Sequence, residues 1–295
     1  MIANCPCSLY NGCCVLKLPL GWKVADYRMY RMLVLDLDGT LLNEDKHVSP
    51  ENASAIRRAH QQGLTVVVAT GRPPVGTEQA RAELGGVSDE YLITYNGALI
   101  QNAQSGETYA THMITMADFA AVRELTTGMG VFAYAFDLGH VVSTEPNPII
   151  DWESQINGIP IRYIDLEKES PAAPLVKIMI NGTPENLDRF TQIVPESYLK
   201  KYSVFRSMSF LLEFLNPLAS KGQAVRDLAA HLGISREDII CIGDSENDED
   251  MIRYAGLGVA MGNATEAIKA AADYVTRSND IHGVAHVINK FIKNQ

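Results

Sequence analysis

The sequence predicts an α/β fold, a Rossmann-like parallel sheet interrupted by an inserted α+β domain. Two apolar segments, residues 32–35 and 64–69, each end in polar residues and glycine, as buried strands of open parallel sheets do at their carboxyl ends. A third such segment, residues 239–242, comes only late in the chain. Between them, residues 114–215 change to aromatic-bearing strands and helices, the pattern of an insert with its own core.

Composition and charge describe an ordinary globular protein. Of 295 residues, 46% are hydrophobic and 20% are charged, so the chain can bury a sizeable core in one or two domains. A net charge of -10 argues against a nucleic-acid or anionic-membrane partner, because no basic stripe is available to neutralise phosphates. No apolar stretch reaches the roughly 18 residues that a membrane span requires. We therefore expect a soluble protein.

The cysteines are concentrated at the amino terminus. Four of the five lie in the first fourteen residues, and the fifth, Cys241, lies in an apolar run. A disulfide framework would spread its cysteines through the fold, so we expect a reduced, cytoplasmic protein. Residues 1–31 lack the pattern of a convincing signal peptide. We interpret them as a leader of unknown status, expected to be disordered.

The first part of the core contains alternating strands and helices. Ser49 and Pro50 form an N-cap and first-turn pair, and the apolar run 64–69 without alternation indicates a strand covered on both faces. Asn96-Gly97 after an extended run predicts a hairpin turn. In order, we predict a strand at 32–35, a helix from Ser49 to Gly63, strand 64–69, helix 75–84, and strands 91–95 and 98–101 around the turn.

The insert and the returning core follow. Within residues 114–215, called the insert below, we predict helices at 116–128 and 184–193 and strands at 131–136, 175–180, 202–206 and 210–214. The core then resumes with a helix from Ser220 to Gly233, strand 239–242, helix 249–255, strand 257–260, helix 265–272, strand 274–276 and helix 284–292. The predicted catalytic core is therefore residues 32–113 and 216–295.

Two aspartates follow the first strand directly. Asp36 and Asp38 are two residues apart on an extended segment, so we expect their carboxylates to point the same way and concentrate negative charge. A hard divalent cation such as Mg²⁺ would neutralise that charge. An isolated Asp-x-Asp pair fits a solvated turn equally well, so the prediction depends on other residues.

Polar residues also follow the two other core strands. Parallel strands bring their carboxyl ends to one edge of the sheet, where these side chains and a lysine at a helix start would meet. The candidates are Asp36 and Asp38, Thr70 and Gly71, Lys221, and Asp244, Asn247 and Asp248. This pattern resembles the haloacid dehalogenase superfamily of phosphotransferases, whose motifs read D-x-D-x-T, Thr or Ser, Lys, and G-D-x-x-N-D. With its α+β insert, the chain resembles the Cof-type branch of that superfamily. The segments TYNGALI, VKIMI and FLLEF, the last followed by SKG, make it most similar to the YidA-like sugar phosphatases.

The resemblance implies a role for each of these residues. Asp36 would be the nucleophile and a Mg²⁺ ligand, and Asp38 would be the general acid and base, with its backbone carbonyl on the metal. Asp244 would complete the metal site, and Asp248 would orient the shell of residues around it. Phosphate would be bound by Thr70, the Gly71 amide, Lys221 and Asn247, and Lys221 would also pair with Asp36. Arg72 would pair with a nearby carboxylate or form a structural salt bridge.

The implied activity is Mg²⁺-dependent hydrolysis of small phosphorylated metabolites, with sugar phosphates as the expected substrate class. Two alternatives remain. A phosphomutase of the same fold would transfer the phosphoryl group to sugar instead of water, and a non-catalytic domain would only bind a metal or ligand. The sequence does not indicate which sugar phosphate is preferred or how many copies of the chain assemble.

Overall fold

The computed structural model describes residues 29–292. The prediction of a disordered leader at residues 1–31, including the four amino-terminal cysteines, falls almost wholly outside the described residues. Of the leader, only Met29, Tyr30 and Arg31 are described, and Tyr30 packs against the core.

The described chain alternates strands and helices through the core and the insert. The strands are β1 (Met32–Leu35), β2 (Thr65–Ala69), β3 (Leu92–Thr94), β4 (Leu99–Gln101), β5 (Thr108–Thr111), β6 (Ile114–Thr115), β7 (Val131–Phe136), β8 (Val141–Ser143), β9 (Ile161–Tyr163), β10 (Pro174–Leu175), β11 (Lys177–Gly182), β12 (Ser203–Met208), β13 (Leu211–Leu215), β14 (Ile239–Gly243), β15 (Leu257–Ala260) and β16 (Tyr274–Val275). The α-helices are α1 (Pro50–Gln61), α2 (Glu78–Leu84), α3 (Met116–Leu125), α4 (Pro148–Asn157), α5 (Pro184–Ile193), α6 (Glu196–Lys201), α7 (Lys221–Leu232), α8 (Glu249–Tyr254), α9 (Glu266–Ala271) and α10 (Gly283–Phe291). Within residues 29–292, none of these helices has the length and hydropathy to cross a membrane.

The larger sheet confirms the predicted α/β fold. It has eight strands in the order β16-β15-β14-β1-β2-β3-β4-β5. The pairs from β16 to β3 are parallel, and the last two pairs are antiparallel. Strand β1 lies at the centre, where Leu35 pairs with Ile242 on one side and Val68 on the other. The loops that follow β1, β2 and β14 therefore begin side by side at one edge of the sheet.

Burial on both faces explains why the central strands are apolar without alternation. In β1, Leu33 and Leu35 belong to one hydrophobic cluster, while Met32 and Val34 belong to another on the opposite face. All four residues are completely buried. The physical reason is that helices cover both faces of a parallel sheet.

The insert contains a separate six-stranded sheet. Its order is β12-β13-β11-β7-β8-β9, antiparallel except for the pair of β8 and β9. Ile178 and Ile180 lie in one cluster with Phe119 of α3 and Phe190 of α5. The opposite face contributes to a cluster that also contains Tyr95, from the β3–β4 loop of the core. The exact domain boundaries stay a prediction.

Several predicted element bounds are wrong. The helix predicted at 75–84 is a 3₁₀ turn, Pro74–Thr77, followed by α2. Consecutive prolines before Val75 are compatible with such a turn, since each lacks a backbone N–H. The helix predicted to reach residue 128 ends at Leu125, and the strand predicted at 175–180 is divided between β10 and β11.

Five elements of the insert were missed, namely β6, β8, α4, β9 and α6. Helix α4 has clear start signals, because the Asn147 side chain accepts from the Ile149 N–H and Pro148 occupies the first turn. However, its buried residues are only Ile150 and Glu153. With so few apolar positions buried, the 3.6-residue period that identifies a helix is weak.

The predicted Asn-Gly hairpin is present, but its loop is wider than a two-residue turn. Thr94 pairs with Leu99, so residues 95–98 form the connection. The Tyr95 N–H donates to the Arg72 carbonyl at 3.1 Å, and the Asn96 N–H donates to the Thr70 carbonyl at 2.9 Å. These bonds attach the hairpin loop to the loop after β2, which explains the wider connection.

Candidate active site

A buried lysine lies at the centre of the carboxyl edge. Ser220 caps α7, with its side chain accepting from the Gln223 N–H at 3.1 Å, and so makes Lys221 the first residue of the helix. Lys221 is completely buried, and its Nζ donates to Asp36 Oδ1 and Asp248 Oδ1, both at 2.6 Å. Burial by itself lowers the pKa of the ammonium, but the two carboxylates outweigh it and raise the pKa. The lysine is therefore charged at neutral pH.

The carboxyl groups around Lys221 repel one another. Burial, followed by the negative charge of Asp248, raises the pKa of Asp36, and Lys221 opposes this rise. Burial and Asp248 also raise the pKa of Asp244. With all three carboxyls ionised, the cluster carries three negative charges against the one positive charge of Lys221. Two negative charges therefore remain for a cation or a proton to offset.

The donor chemistry of this cluster fits a divalent metal ion. Carboxylate oxygens of Asp36, Asp244 and Asp248 lie within 4.8 Å of one another, and Mg²⁺ prefers such hard oxygen ligands. Asp248 is the least available of the three. Its Oδ1 accepts from Lys221, and its Oδ2 accepts the N–H groups of Asp244 at 2.9 Å and Ser245 at 3.1 Å. Asp36 and Asp244 are thus the better candidates for direct metal ligands.

The loop after β1 packs against Asp244. Gly39 has a φ of +78°, and a Cβ at this position would overlap the Asp244 carboxylate. Glycine is required there both for the left-handed backbone and for the close approach. Thr40 donates from Oγ1 to Asp244 Oδ1 at 3.1 Å. Thr40 was not among the predicted site residues, although it belongs to the D-x-D-G-T segment that could have indicated it.

Asp38 does not share the environment of Asp36. The sequence predicted that the two carboxylates would point the same way, and this is wrong. Residues 37–42 turn back, with the N–H groups of Leu41 and Leu42 bonded to the Leu37 carbonyl, so the extended geometry behind the prediction ends at Asp36. Asp38 instead faces Arg72 and Lys46.

The Arg72 guanidinium donates two parallel hydrogen bonds to the Asp38 carboxylate. Its Nε donates to Oδ2 at 2.7 Å and its Nη2 donates to Oδ1 at 2.5 Å, while Lys46 Nζ lies 3.3 Å from Oδ1. Partial burial raises the pKa of Asp38, but Arg72 and then Lys46 outweigh it, and the pKa is lowered. The sequence suggested that Arg72 either pairs with a carboxylate near the site or forms a structural salt bridge. The structure combines the two, because the carboxylate in this salt bridge belongs to Asp38, the candidate acid and base.

The remaining predicted residues lie on the loops after β2 and β14. Thr70 is buried, and its Oγ1 accepts from the Arg72 N–H at 3.1 Å. The Asn247 Nδ2 donates to Asn96 Oδ1 at 2.9 Å. Asn96 also lies against Gly71, because a Cβ on this glycine would be 3.0 Å from Asn96 Oδ1. The sequence indicated only a turn at Asn96, and its partner lies 151 residues away.

Comparisons with known proteins agree with this arrangement. A family model for haloacid dehalogenase-like hydrolases matches residues 33–288. The chain is 36% identical to the Bacillus subtilis protein YxeH over 269 residues, covering 90% of this chain and 99% of YxeH. It is 30% identical to the B. subtilis 5-amino-6-(5-phospho-D-ribitylamino)uracil phosphatase YwtE, covering 90% and 99%.

The similarity to a solved structure supports the same family. The subclass IIB sugar phosphatase BT4131 superposes with a TM-score of 0.71 at 25% identity, covering 88% of this chain and 98% of that one. The family match spans both the early and the late loops of the carboxyl edge. The chain therefore belongs to the haloacid dehalogenase-like hydrolases and is a phosphatase of that family, a phosphoric monoester hydrolase.

Proposed function

We propose that this phosphatase hydrolyses sugar phosphates in the cytoplasm, with Mg²⁺ as cofactor and an aspartyl-phosphate on Asp36 as intermediate. The observation that carries the proposal is the buried Lys221, which holds Asp36 Oδ1 at 2.6 Å beside Asp244 at the carboxyl edge. The names of BT4131, a sugar phosphatase, and of YwtE, which acts on a phosphoribityl compound, support this substrate class.

Asp36 would act as the nucleophile. One carboxylate oxygen attacks phosphorus while Lys221 holds Oδ1, so the carboxylate is oriented before substrate arrives. The ester bond from phosphorus to the sugar oxygen breaks, and the leaving oxygen takes a proton from Asp38, which is protonated in only a small fraction of the free enzyme because its pKa is lowered. A water molecule then attacks the phosphorus, loses its proton to Asp38, and releases inorganic phosphate from Asp36. Each proton taken from Asp38 is thereby returned.

The charges around the phosphoryl group explain why a metal is needed. A phosphate monoester brings about two negative charges at neutral pH to a cluster that has two in excess when its three carboxyls are ionised. Asp36 and Asp244 would hold Mg²⁺, which offsets charge on the phosphoryl oxygens when bound. Thr70, the Gly71 N–H, Lys221 and Asn247 would bind the phosphate oxygens, and Asp248 would keep the loop and Lys221 in place.

Removing the metal is expected to stop phosphate release. We would measure release from a panel of sugar phosphates and from p-nitrophenyl phosphate, with Mg²⁺ and after chelation. Activity should fall by at least about 10²-fold in chelator, since a metal contributes several kcal/mol of charge stabilisation, and return when Mg²⁺ is added in excess. Undiminished release in chelator would contradict the metal role. Interconversion of sugar phosphate isomers without release would identify a mutase.

Arg72 is expected to set the pH range of the acid step. In Arg72→Met, Asp38 loses its bidentate partner, so its pKa should rise and it should remain protonated to higher pH. For sugar phosphates, whose alkoxide needs a proton, the basic limb of the kcat/KM profile should therefore move to higher pH. For p-nitrophenyl phosphate, whose phenolate leaves without a proton, that limb should not move.

Lys46→Met provides the matched comparison for Arg72→Met. Lys46 contacts the same carboxylate through a single 3.3 Å contact from a side chain that is 63% exposed, so its removal should shift the limb in the same direction by a smaller amount. Equal shifts with both leaving groups in Arg72→Met would show that the limb does not report protonation of the leaving oxygen.

A further inference from the structure

The loop between β3 and β4 has an unusual backbone. Three consecutive residues have positive φ angles, Tyr95 at 53°, Asn96 at 55° and Gly97 at 94°. Asparagine and glycine adopt the left-handed region readily, but a bulky aromatic residue there is an outlier. Such conformations persist only where the surrounding structure determines them, and they concentrate at functional sites.

Contacts on three sides hold this loop in place. Tyr95 is 3% exposed, and its hydroxyl donates to the Leu138 carbonyl of the insert at 3.1 Å. The Asn96 N–H is bonded to the Thr70 carbonyl. On the third side, a Cβ on Gly97 would overlap the backbone of Ser220, the residue before Lys221. The loop therefore fits between the insert, the loop after β2 and the start of α7.

The conformation places one amide group between two candidate phosphate-binding residues. The Asn96 side chain accepts from Asn247 Nδ2 at 2.9 Å and lies against Gly71. An asparagine amide group carries two N–H donors and one carbonyl acceptor. With one N–H of Asn247 given to Asn96, the other N–H remains for a ligand. Without an acceptor at Asn96, the Asn247 amide could rotate and present its carbonyl oxygen instead, which would repel a phosphate oxygen.

We propose that Asn96 is a positioning residue, whose side-chain oxygen orients the Asn247 amide so that an N–H faces the substrate phosphate. This inference rests on the proposed phosphate-binding role of Asn247. It goes beyond the turn-forming role that the sequence suggests, because it assigns the function to the Asn96 side chain and not only to its backbone.

Glycine substitution separates the two roles. Asn96→Gly keeps the positive φ without strain but removes the acceptor. We expect the dissociation constant of inorganic phosphate, measured by calorimetry with Mg²⁺ present, to rise by about tenfold or more, the loss typical of one hydrogen bond to a charged group. KM for p-nitrophenyl phosphate should rise in parallel. Thermal stability should be nearly unchanged.

Asn102→Gly is the matched control. Asn102 occupies the loop after β4, where its Oδ1 accepts from the N–H groups of Gln104 and Ser105, so its side chain serves the turn itself. This variant should lose some thermal stability and keep wild-type phosphate affinity. A double variant completes the test. If Asn96 acts through Asn247, Asn96→Gly should have almost no further effect on phosphate affinity in an Asn247→Ala background.

The outcomes separate this inference from the proposed function. Wild-type phosphate affinity in Asn96→Gly, or an equal loss in the Asn247→Ala background, would overturn the positioning role while leaving the hydrolase proposal intact. A wild-type protein that binds phosphate but hydrolyses no sugar phosphate would overturn the proposed function, and the affinity of Asn96→Gly would still decide the inference. No phosphate binding by the wild type would overturn both.

Discussion

Asp36→Asn is expected to abolish phosphate release while the protein stays folded. The amide cannot form an acyl-phosphate, so the intermediate is lost, and removal of a catalytic nucleophile lowers kcat by about 10⁴-fold or more. The fold should tolerate the change, because the amide oxygen still accepts from Lys221 and one of the mutually repelling carboxylates disappears. The raised pKa of Asp36 indicates that the folded state disfavours its charged form.

The measurement is kcat for a sugar phosphate with saturating Mg²⁺, together with the denaturant midpoint. Glu196→Gln is the matched control, because it makes the same acid-to-amide change at a side chain that is 80% exposed in the insert. It should keep wild-type activity. Robust turnover by Asp36→Asn would contradict the assignment of the nucleophile, and loss of the denaturation transition would contradict the expected tolerance.

Lys221→Met is expected to lower both activity and stability. Lys221 is completely buried between Asp36 and Asp248, and breaking a buried ion pair by removing one partner costs about 3 to 5 kcal/mol because an uncompensated charge stays inside. The free energy of unfolding at neutral pH should fall by this amount. The rate of phosphate ester hydrolysis should fall as well, because Lys221 no longer holds Asp36 and a positive charge near the phosphoryl group is lost.

The stability loss in Lys221→Met should depend on pH in a defined direction. A carboxyl whose pKa is raised by folding binds its proton more tightly in the folded state, so folding is favoured as the pH falls below that raised pKa. Asp36 already has a raised pKa in the wild type, and losing Lys221 removes the group that opposes the rise. The deficit relative to wild type should therefore grow as the pH rises above about 8, where Asp36 ionises in the folded wild type but not in the folded variant, and should stay nearly constant between about pH 5 and pH 8.

Denaturant titrations at several pH values would check this expectation. Lys200→Met is the control, because Lys200 is 74% exposed in a pair with Glu196 on helix α6, and exposed pairs contribute about 0 to 1 kcal/mol. Its effect should be small at every pH. A deficit in Lys221→Met that grows as the pH falls would mean that the two carboxyls are not the source of the instability.

Local sequence patterns predicted much of the fold. Continuous apolar runs identified β1, β2 and β14 because these strands are buried on both faces, and the Ser49 and Ser220 caps marked two helix starts that the structure retains. The same reasoning missed helix α4, since a half-exposed helix with few buried apolar residues has little periodic signal. Helices α4 and α6 were missed for this reason, whereas β8 was missed although all three of its residues are buried, because so short a run does not identify a strand.

The residue types at the ends of neighbouring strands can be read from the sequence alone, and parallel pairing brings those ends to one edge whatever the side chains are. The partners of these side chains depend on the three-dimensional arrangement of the loops. The turn at residues 37–42 sends Asp38 to Arg72, and the loop after β3 brings Asn96 to Asn247, which is 151 residues away. A hydrogen bond forms only when donor and acceptor are placed to within a few tenths of an ångström. The spacing of residues along the chain does not specify that placement for groups that are distant in sequence.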